Sequence, residues 1–159
     1  MILKKLFMKY GIAIPALLVC IFTIADLISQ GTADWQQLLL FNLLLYGVGY
    51  QFVGFAIGHL LLGDQIAEYI GWPKGNPFQF EVGIANLAIA TLGILCSWYT
   101  GSFWLATAVA ASVWSWGCVI GHVKDMICHK NFSAGSAGYP FYYGLLMPML
   151  LWCLIGFGS

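Results

Sequence analysis

Charge is what this sequence has least of. Lys, Arg, Asp and Glu make up only 8% of the 159 residues, Arg is absent altogether, and the net charge is zero. A water-soluble domain has roughly 25% charged residues, so the composition excludes an ordinary soluble domain. The 61% of hydrophobic residues also excludes a disordered chain, which needs low hydrophobicity and high charge. Because the sequence has no basic stripe, we expect no nucleic-acid partner.

Motifs for the common cofactors and nucleophiles are absent as well. The five cysteines never form a Cys-x-x-Cys pair, which argues against a thiol–disulfide oxidoreductase and a cysteine-ligated zinc site. The sequence has no glycine-rich phosphate loop, nucleophile elbow or His-Glu-x-x-His segment. It also has no flavin, nicotinamide or nucleotide signature, which leaves a divalent metal as the one candidate cofactor.

Long apolar runs are what the chain has instead. Five of them can cross a hydrocarbon core of about 30 Å. Each run is continuous rather than alternating, which predicts helices and not a β-barrel. Lysines before the first run resemble a secretory signal, but no small-x-small cleavage site follows, so we interpret this run as a retained helix. We predict an all-α integral membrane protein with a single transmembrane domain over 1–159 and spans at 8–28, 36–62, 78–99, 102–123 and 139–157.

The lysines predict an orientation for these spans. If the N-terminus is cytoplasmic, the cytoplasmic segments hold every lysine and the opposite segments hold none. Membrane proteins keep an excess of Lys and Arg on the cytoplasmic side. We therefore expect the N-terminus inside and the C-terminus outside. The lysines are Lys4, Lys5, Lys9, Lys74, Lys124 and Lys130.

Two segments of the chain align with each other without a gap. Residues 54–80 and 117–143 both contain Gly-x-x-Ile-Gly-His and then Gly-x-Pro-Phe. This predicts an internal repeat, with a lead helix followed by two tandem hairpins in the same orientation. Small residues let helices approach closely in lipid, so we expect the second and fourth spans to cross at these glycines; a homo-oligomer contact is the alternative. The glycines are Gly54, Gly58, Gly117 and Gly121.

Ionisable side chains near the cytoplasmic ends of the spans predict a pocket. His59 and His122 each follow one of the glycine pairs, and Glu81 lies near the start of the third span. Ionisable groups inside a membrane are costly and usually functional. We therefore expect Glu81 to pair with His59 or His122 in a pocket open to the cytoplasm. The alternatives are histidines that hydrogen-bond loop carbonyls and a carboxylate stabilised by the helix macrodipole.

The third span also has a polar face of its own. On an ideal helix Asn86 points about 140° away from Glu81, so the two residues serve different contacts. We include Asn86 among the pocket residues, although an interhelical hydrogen bond would also explain it. The face that contains Asn86 carries Gln79, Asn86, Ala90 and Gly93.

The end of the fourth span suggests a metal site. If the helix continues past the span, His122, Asp125 and His129 occupy one face at i, i+3 and i+7. Imidazole and carboxylate groups are ligands for zinc and other divalent ions. A solvated helix end is the alternative, because one helix seldom closes a metal site alone.

The segment Glu81-Val82-Gly83-Ile84-Ala85-Asn86 carries a resemblance. It is similar to a family of small bacterial multi-pass inner-membrane proteins of unassigned function, in which a Glu-x-Gly-x-Ala-Asn segment precedes a glycine-rich helix. The resemblance implies a helical bundle in the bacterial inner membrane and gives no activity. The chain also looks like small four-helix redox-associated membrane proteins in size and topology, but it lacks their cysteine pair.

These observations favour one function over two others. We expect a cytoplasm-facing intramembrane pocket that binds or conducts a small solute, a proton or an ion. One alternative is a metal-dependent membrane enzyme with His and carboxylate ligands. The other is a structural or assembly subunit without transport or catalysis. The expected partners are the lipid bilayer, a small solute or ion, and a second copy of the chain.

Overall fold

A computed structural model describes residues 13–157 of the chain, and this part is helical with no strand. The prediction of an all-α protein is thus confirmed for these residues. The helices, numbered in chain order, are α1 (Ile14–Gln30), α2 (Trp35–Leu61), α3 (Gly63–Ile70), α4 (Phe78–Leu95), α5 (Ser102–His129), α6 (Ala134–Ala137) and α7 (Tyr139–Phe157).

Four stretches are long and apolar enough to cross a membrane. They are Trp35–Leu61, Phe78–Leu95, Ser102–His129 and Ala134–Gly156, and they correspond to the last four predicted spans. The first predicted span begins outside the described residues, and its described part, α1, is a shorter apolar helix of 17 residues. Four of the five predicted spans are therefore found. Lys4, Lys5 and Lys9 lie outside the described residues, so the orientation stays a prediction.

α2 is a composite helix. Its central part, Leu43–Tyr50, is a π-helix between α-helical turns at Trp35–Asn42 and Gln51–Leu61. π-helical turns are rare and expose backbone groups that an α-helix would use internally. The Gly47 carbonyl in this part accepts a hydrogen bond of 2.5 Å from the Tyr143 hydroxyl of α7. The π-helix therefore connects α2 directly to the last helix of the bundle.

The helices pair as two hairpins, because α2 packs along α4 and α5 packs along α7. The backbones of the first hairpin approach closely at Gly49 and Gly93, where a Cβ atom on Gly93 would lie 2.3 Å from the Gly49 amide nitrogen. α5 approaches α2 at the π-helix of α2. This differs from the predicted crossing of α2 and α5 at their Gly-x-x-x-Gly faces.

The predicted glycine faces do not pack helix on helix. A Cβ atom added to Gly54, Gly117 or Gly121 would meet no heavy atom within 4 Å, and one added to Gly58 would meet only the Ile66 side chain of α3. Gly117 and Gly121 are exposed on the outer surface of α5. A Gly-x-x-x-Gly spacing permits close packing but does not determine which helix packs there. In this fold the close contact is made by two other glycines, Gly49 of α2 and Gly93 of α4.

Two short helices cover one end of the bundle. α3 is amphipathic and buries Ile66, Ala67 and Ile70. It packs against α6, where a Cβ atom on Gly135 would lie 2.7 Å from the Tyr69 carbonyl oxygen. Between this cover and the long helices lies the space that forms the candidate site.

Candidate functional site

A cavity of about 120 Å³ lies beneath the cover of α3 and α6. Its wall is built from α2 to α7 and is mostly apolar. Polar side chains interrupt the wall at six positions, and none of the described residues lining the cavity is Asp, Glu, Lys or Arg. The six polar positions are His59, Tyr69, Asn86, Ser115, His122 and Tyr143.

Five of the residues singled out from the sequence meet in this cavity. His59, Asn86 and His122 line it, and so do Gly54 and Gly58. The convergence follows from the fold, because α2 and α5 each bring a histidine to the covered end while α4 brings Asn86 between them. These residues come from three different helices, which is the arrangement that a binding site in a helical bundle requires.

Glu81 is placed elsewhere. Its side chain is exposed on α4, and it is not among the residues that line the cavity. The predicted pairing with a histidine is not made, because His59 contacts Gln79 and His122 contacts Ser136. The turn of roughly 140° between Glu81 and Asn86 accounts for this: the helix face that buries Asn86 turns Glu81 outward.

His59 lies at a boundary between two spaces. Its Nδ1 atom is 2.6 Å from Oε1 of Gln79, a buried side chain at the start of α4. His59 lines the apolar cavity and also a polar surface groove of about 360 Å³ that contains Asp64, Asn76 and Gln79. The imidazole therefore lies between a polar surface groove and the mostly apolar cavity.

His122 is held from two sides. Its Nδ1 atom lies 3.0 Å from the buried hydroxyl of Ser136 in α6. The Trp72 ring stacks against the imidazole with ring centroids 6.0 Å apart. These contacts fix the ring between the cavity and the loop that follows α3.

Asn86 is tied into the bundle by two hydrogen bonds. Its Nδ2 atom donates to the Val82 carbonyl at 2.9 Å, and its Oδ1 atom accepts from the Trp114 indole at 3.0 Å. The second bond connects α4 to α5 across the cavity wall. Asn86 therefore makes the interhelical hydrogen bond expected from its depth, and it also borders the cavity.

Asp125 is hydrogen-bonded to the loop that follows α3 and to the loop that precedes α6. Its carboxylate accepts hydrogen bonds from the Trp72 indole at 3.0 Å, the Asn131 amide at 2.6 Å and His129 Nδ1 at 2.7 Å. Asn131 also donates to the Ile70 carbonyl at the end of α3, at 2.8 Å. One carboxylate thus connects the end of α5 to both neighbouring loops.

The predicted metal site is not assembled. α5 does continue to His129, and His129 contacts Asp125, but His122 contacts Ser136 instead. Within residues 13–157 no group of three His, Cys, Asp or Glu side chains is placed to hold a metal ion. The donors around Asp125 are an indole, an amide and one imidazole, which is the environment of a structural carboxylate.

Several residues of the site were not assigned a role from the sequence. The sequence predicts that Gln79 shares a face of the third span with Asn86, but its contact with His59 depends on how α2 and α4 pack. Tyr69 lines the cavity from α3. Burial raises the pKa of its hydroxyl above the ordinary value of 10.0, so the hydroxyl stays neutral. An aromatic residue in a short amphipathic helix is an ordinary packing feature, so no sequence signal separates Tyr69 from its neighbours.

Taken together, the described residues define a helical protein with helices suited to cross a membrane and a partly open cavity between them that no described Asp, Glu, Lys or Arg lines. The chain belongs to a family of unknown function, DUF6790, which matches residues 8–158. No curated protein and no solved structure matches the chain.

Proposed function

We propose that this is an integral membrane protein whose cavity binds a small, neutral, largely apolar molecule with a hydrogen-bonding group. The observation that carries the proposal is the composition of the cavity wall, in which polar groups are present without any charged side chain among the described residues. Apolar walls with a few placed polar groups are typical of small-molecule sites.

The lack of charge favours a neutral solute over an ion. A bare ion in an apolar enclosure needs an opposite charge or several hydrogen bonds to replace water, and burial without them is costly. The cavity wall offers imidazole, hydroxyl and amide groups but no carboxylate. A neutral molecule gains from burial of its apolar part and uses one or two of these groups for orientation.

The size of the cavity supports a ligand about as large as one ring. An apolar cavity of roughly 150 Å³ in another protein binds benzene. The cavity here, at about 120 Å³, is of similar size. Only a small part of its wall is polar, so a ring with a single hydroxyl or amine substituent matches the wall.

Access is proposed from the cytoplasm. The lysine distribution supports a cytoplasmic position for the loops around α3 and α6, with Lys74 in one loop and Lys130 in the other. The polar groove that borders His59 belongs to the same end of the bundle. We propose the cytoplasmic membrane of a bacterium as the location, with the N-terminus inside and the C-terminus outside.

The internal repeat and a homo-oligomer are part of the same proposal. The pairing of α2 with α4 and of α5 with α7 agrees with two tandem hairpins. The exposed glycines of α5, Gly117 and Gly121, leave a small-residue face that a second copy could use. Neither feature is needed for the cavity to bind a ligand.

A charge series tests the proposal. The protein is reconstituted in lipid nanodiscs, and fluorine NMR follows the binding of para-fluorobenzyl alcohol, para-fluorobenzylammonium and para-fluorobenzoate, which share one ring and differ in charge. We expect saturable binding of the alcohol alone. Saturable binding of the ammonium ion in preference to the alcohol would favour an ion site instead, and no binding of any probe would favour a structural subunit.

A further inference from the structure

The contact between His59 and Gln79 determines which imidazole nitrogen carries the proton. The Nδ1 atom of His59 is 2.6 Å from Gln79 Oε1, which is an amide oxygen and can only accept a hydrogen bond. Nδ1 must therefore be the donor. In a neutral imidazole the other nitrogen, Nε2, then has a free lone pair.

The free nitrogen is available to a ligand. Nε2 of His59 has no hydrogen-bond partner among residues 13–157. His59 lines both the apolar cavity and the polar groove, so its ring lies at the boundary between the two spaces. Gln79 is buried to all but a small fraction of its surface, and the remainder borders the polar groove.

We infer that Gln79 is a positioning residue that holds His59 with its proton on Nδ1, so that Nε2 selects molecules that donate a hydrogen bond. The inference rests on the proposed function and specifies its substrate class: neutral molecules with a hydroxyl or N–H group. A molecule of the same shape that only accepts hydrogen bonds would place two lone pairs against each other. Such a mismatch leaves the ligand oxygen desolvated and unpaired.

The second histidine of the cavity provides the internal comparison. His122 Nδ1 contacts the Ser136 hydroxyl, which can both donate and accept a hydrogen bond. This contact does not determine a tautomer. Only the His59 side of the cavity therefore has a defined preference for a donor.

The tautomer can be measured without a ligand. Protein labelled with [¹⁵N]histidine is studied in nanodiscs, and the His59 signals are assigned from their loss in His59→Asn. We expect protonated Nδ1 and unprotonated Nε2 in the wild type. Gln79→Met removes the acceptor and should move the proton toward Nε2. Ser136→Ala is the matched control and should leave the His59 signals unchanged.

Ligand selection is measured with two probes of similar shape. Para-fluorobenzyl alcohol donates a hydrogen bond and para-fluorobenzaldehyde only accepts one. We expect the wild type to bind the alcohol about 3- to 10-fold more tightly, the ratio that one net hydrogen bond gives. In Gln79→Met this ratio should fall toward one.

The outcomes separate this inference from the proposed function. Wild-type His59 protonated on Nε2, or an alcohol preference that Gln79→Met leaves unchanged, would overturn the role of Gln79 while the cavity could still bind neutral molecules. Failure of both probes to bind the wild type would overturn the proposed function, and the tautomer measurement would still test the role of Gln79.

Discussion

Gly93 of α4 lies directly against the backbone of Gly49 in α2. A Cβ atom at Gly93 would lie 2.3 Å from the Gly49 amide nitrogen and 2.8 Å from the Leu44 carbonyl oxygen. Because both atoms belong to the backbone, neither can move aside as a side chain could. This contact lies at the π-helix of α2, and it sets the spacing of the two helices that carry His59 and Asn86 to the cavity.

Gly93→Ala should therefore destabilise the bundle. The added methyl group overpacks the α2–α4 contact, which costs about 1–3 kcal/mol, against the small gain in helix propensity from replacing Gly. The measurement is the free energy of unfolding in a mixed detergent titration. Gly117→Ala is the matched control, because its Cβ atom meets no heavy atom within 4 Å. Equal stability of the two variants would contradict the close contact.

Asn42→Leu should loosen α1 from α2. The Asn42 amide donates a 2.7 Å hydrogen bond to the Asp26 carboxylate, and Asn42 is buried. Interhelical hydrogen bonds in membrane proteins contribute about 0.6 kcal/mol on average, so we expect a loss of about this size or somewhat more. Gln30→Ala is the control, because its contact with Asp26 is exposed and 3.5 Å long. The free energy of unfolding should fall in Asn42→Leu and stay unchanged in Gln30→Ala.

Asp125→Asn should release the loops that hold the cover. The carboxylate accepts from three donors, and an amide in its place would turn its own N–H groups toward at least one of them. We expect faster hydrogen exchange in residues 71–77 and 130–133, read by mass spectrometry. His129→Ala removes a single exposed partner and should change exchange much less. Unchanged exchange in Asp125→Asn would contradict the connecting role of this residue.

The long helices and the buried face of α4 could be predicted from the sequence. Apolar runs gave the positions of the four spans, because a span needs a continuous apolar segment of a certain length. The spacing of Gln79, Asn86, Ala90 and Gly93 predicted one helix face, and all four are buried. The spacing of residues along a helix is a local property of the sequence. It predicts the shared face correctly because α4 is a regular helix.

The contacts between helices could not be predicted in the same way. Gly49 and Gly93 are far apart in sequence, and only the packing of α2 on α4 brings them together. The sequence predicts that Glu81 pairs with His59 or His122, but His59 contacts Gln79, which lies on the face of α4 that meets α2. The cover of α3 and α6 likewise depends on long-range contacts, such as that between Asp125 and Trp72.

The role of the cavity as a ligand site is tested most directly by substituting one of its glycines with a larger residue that fills it. Gly54 lines the cavity, and a Cβ atom there meets no heavy atom within 4 Å, so Gly54→Leu should extend into the space without disturbing the backbone. Gly117 is equally unobstructed but lies on the outer surface of α5, which makes Gly117→Leu the matched control. Both variants exchange a Gly for a Leu in a helix, so their effects on helix stability should be similar.

The decisive measurement is saturable binding of para-fluorobenzyl alcohol to both variants in nanodiscs by fluorine NMR. We predict that Gly54→Leu abolishes this binding while Gly117→Leu binds like the wild type, with both proteins folded. Undiminished binding in Gly54→Leu would contradict the assignment of the cavity as the ligand site.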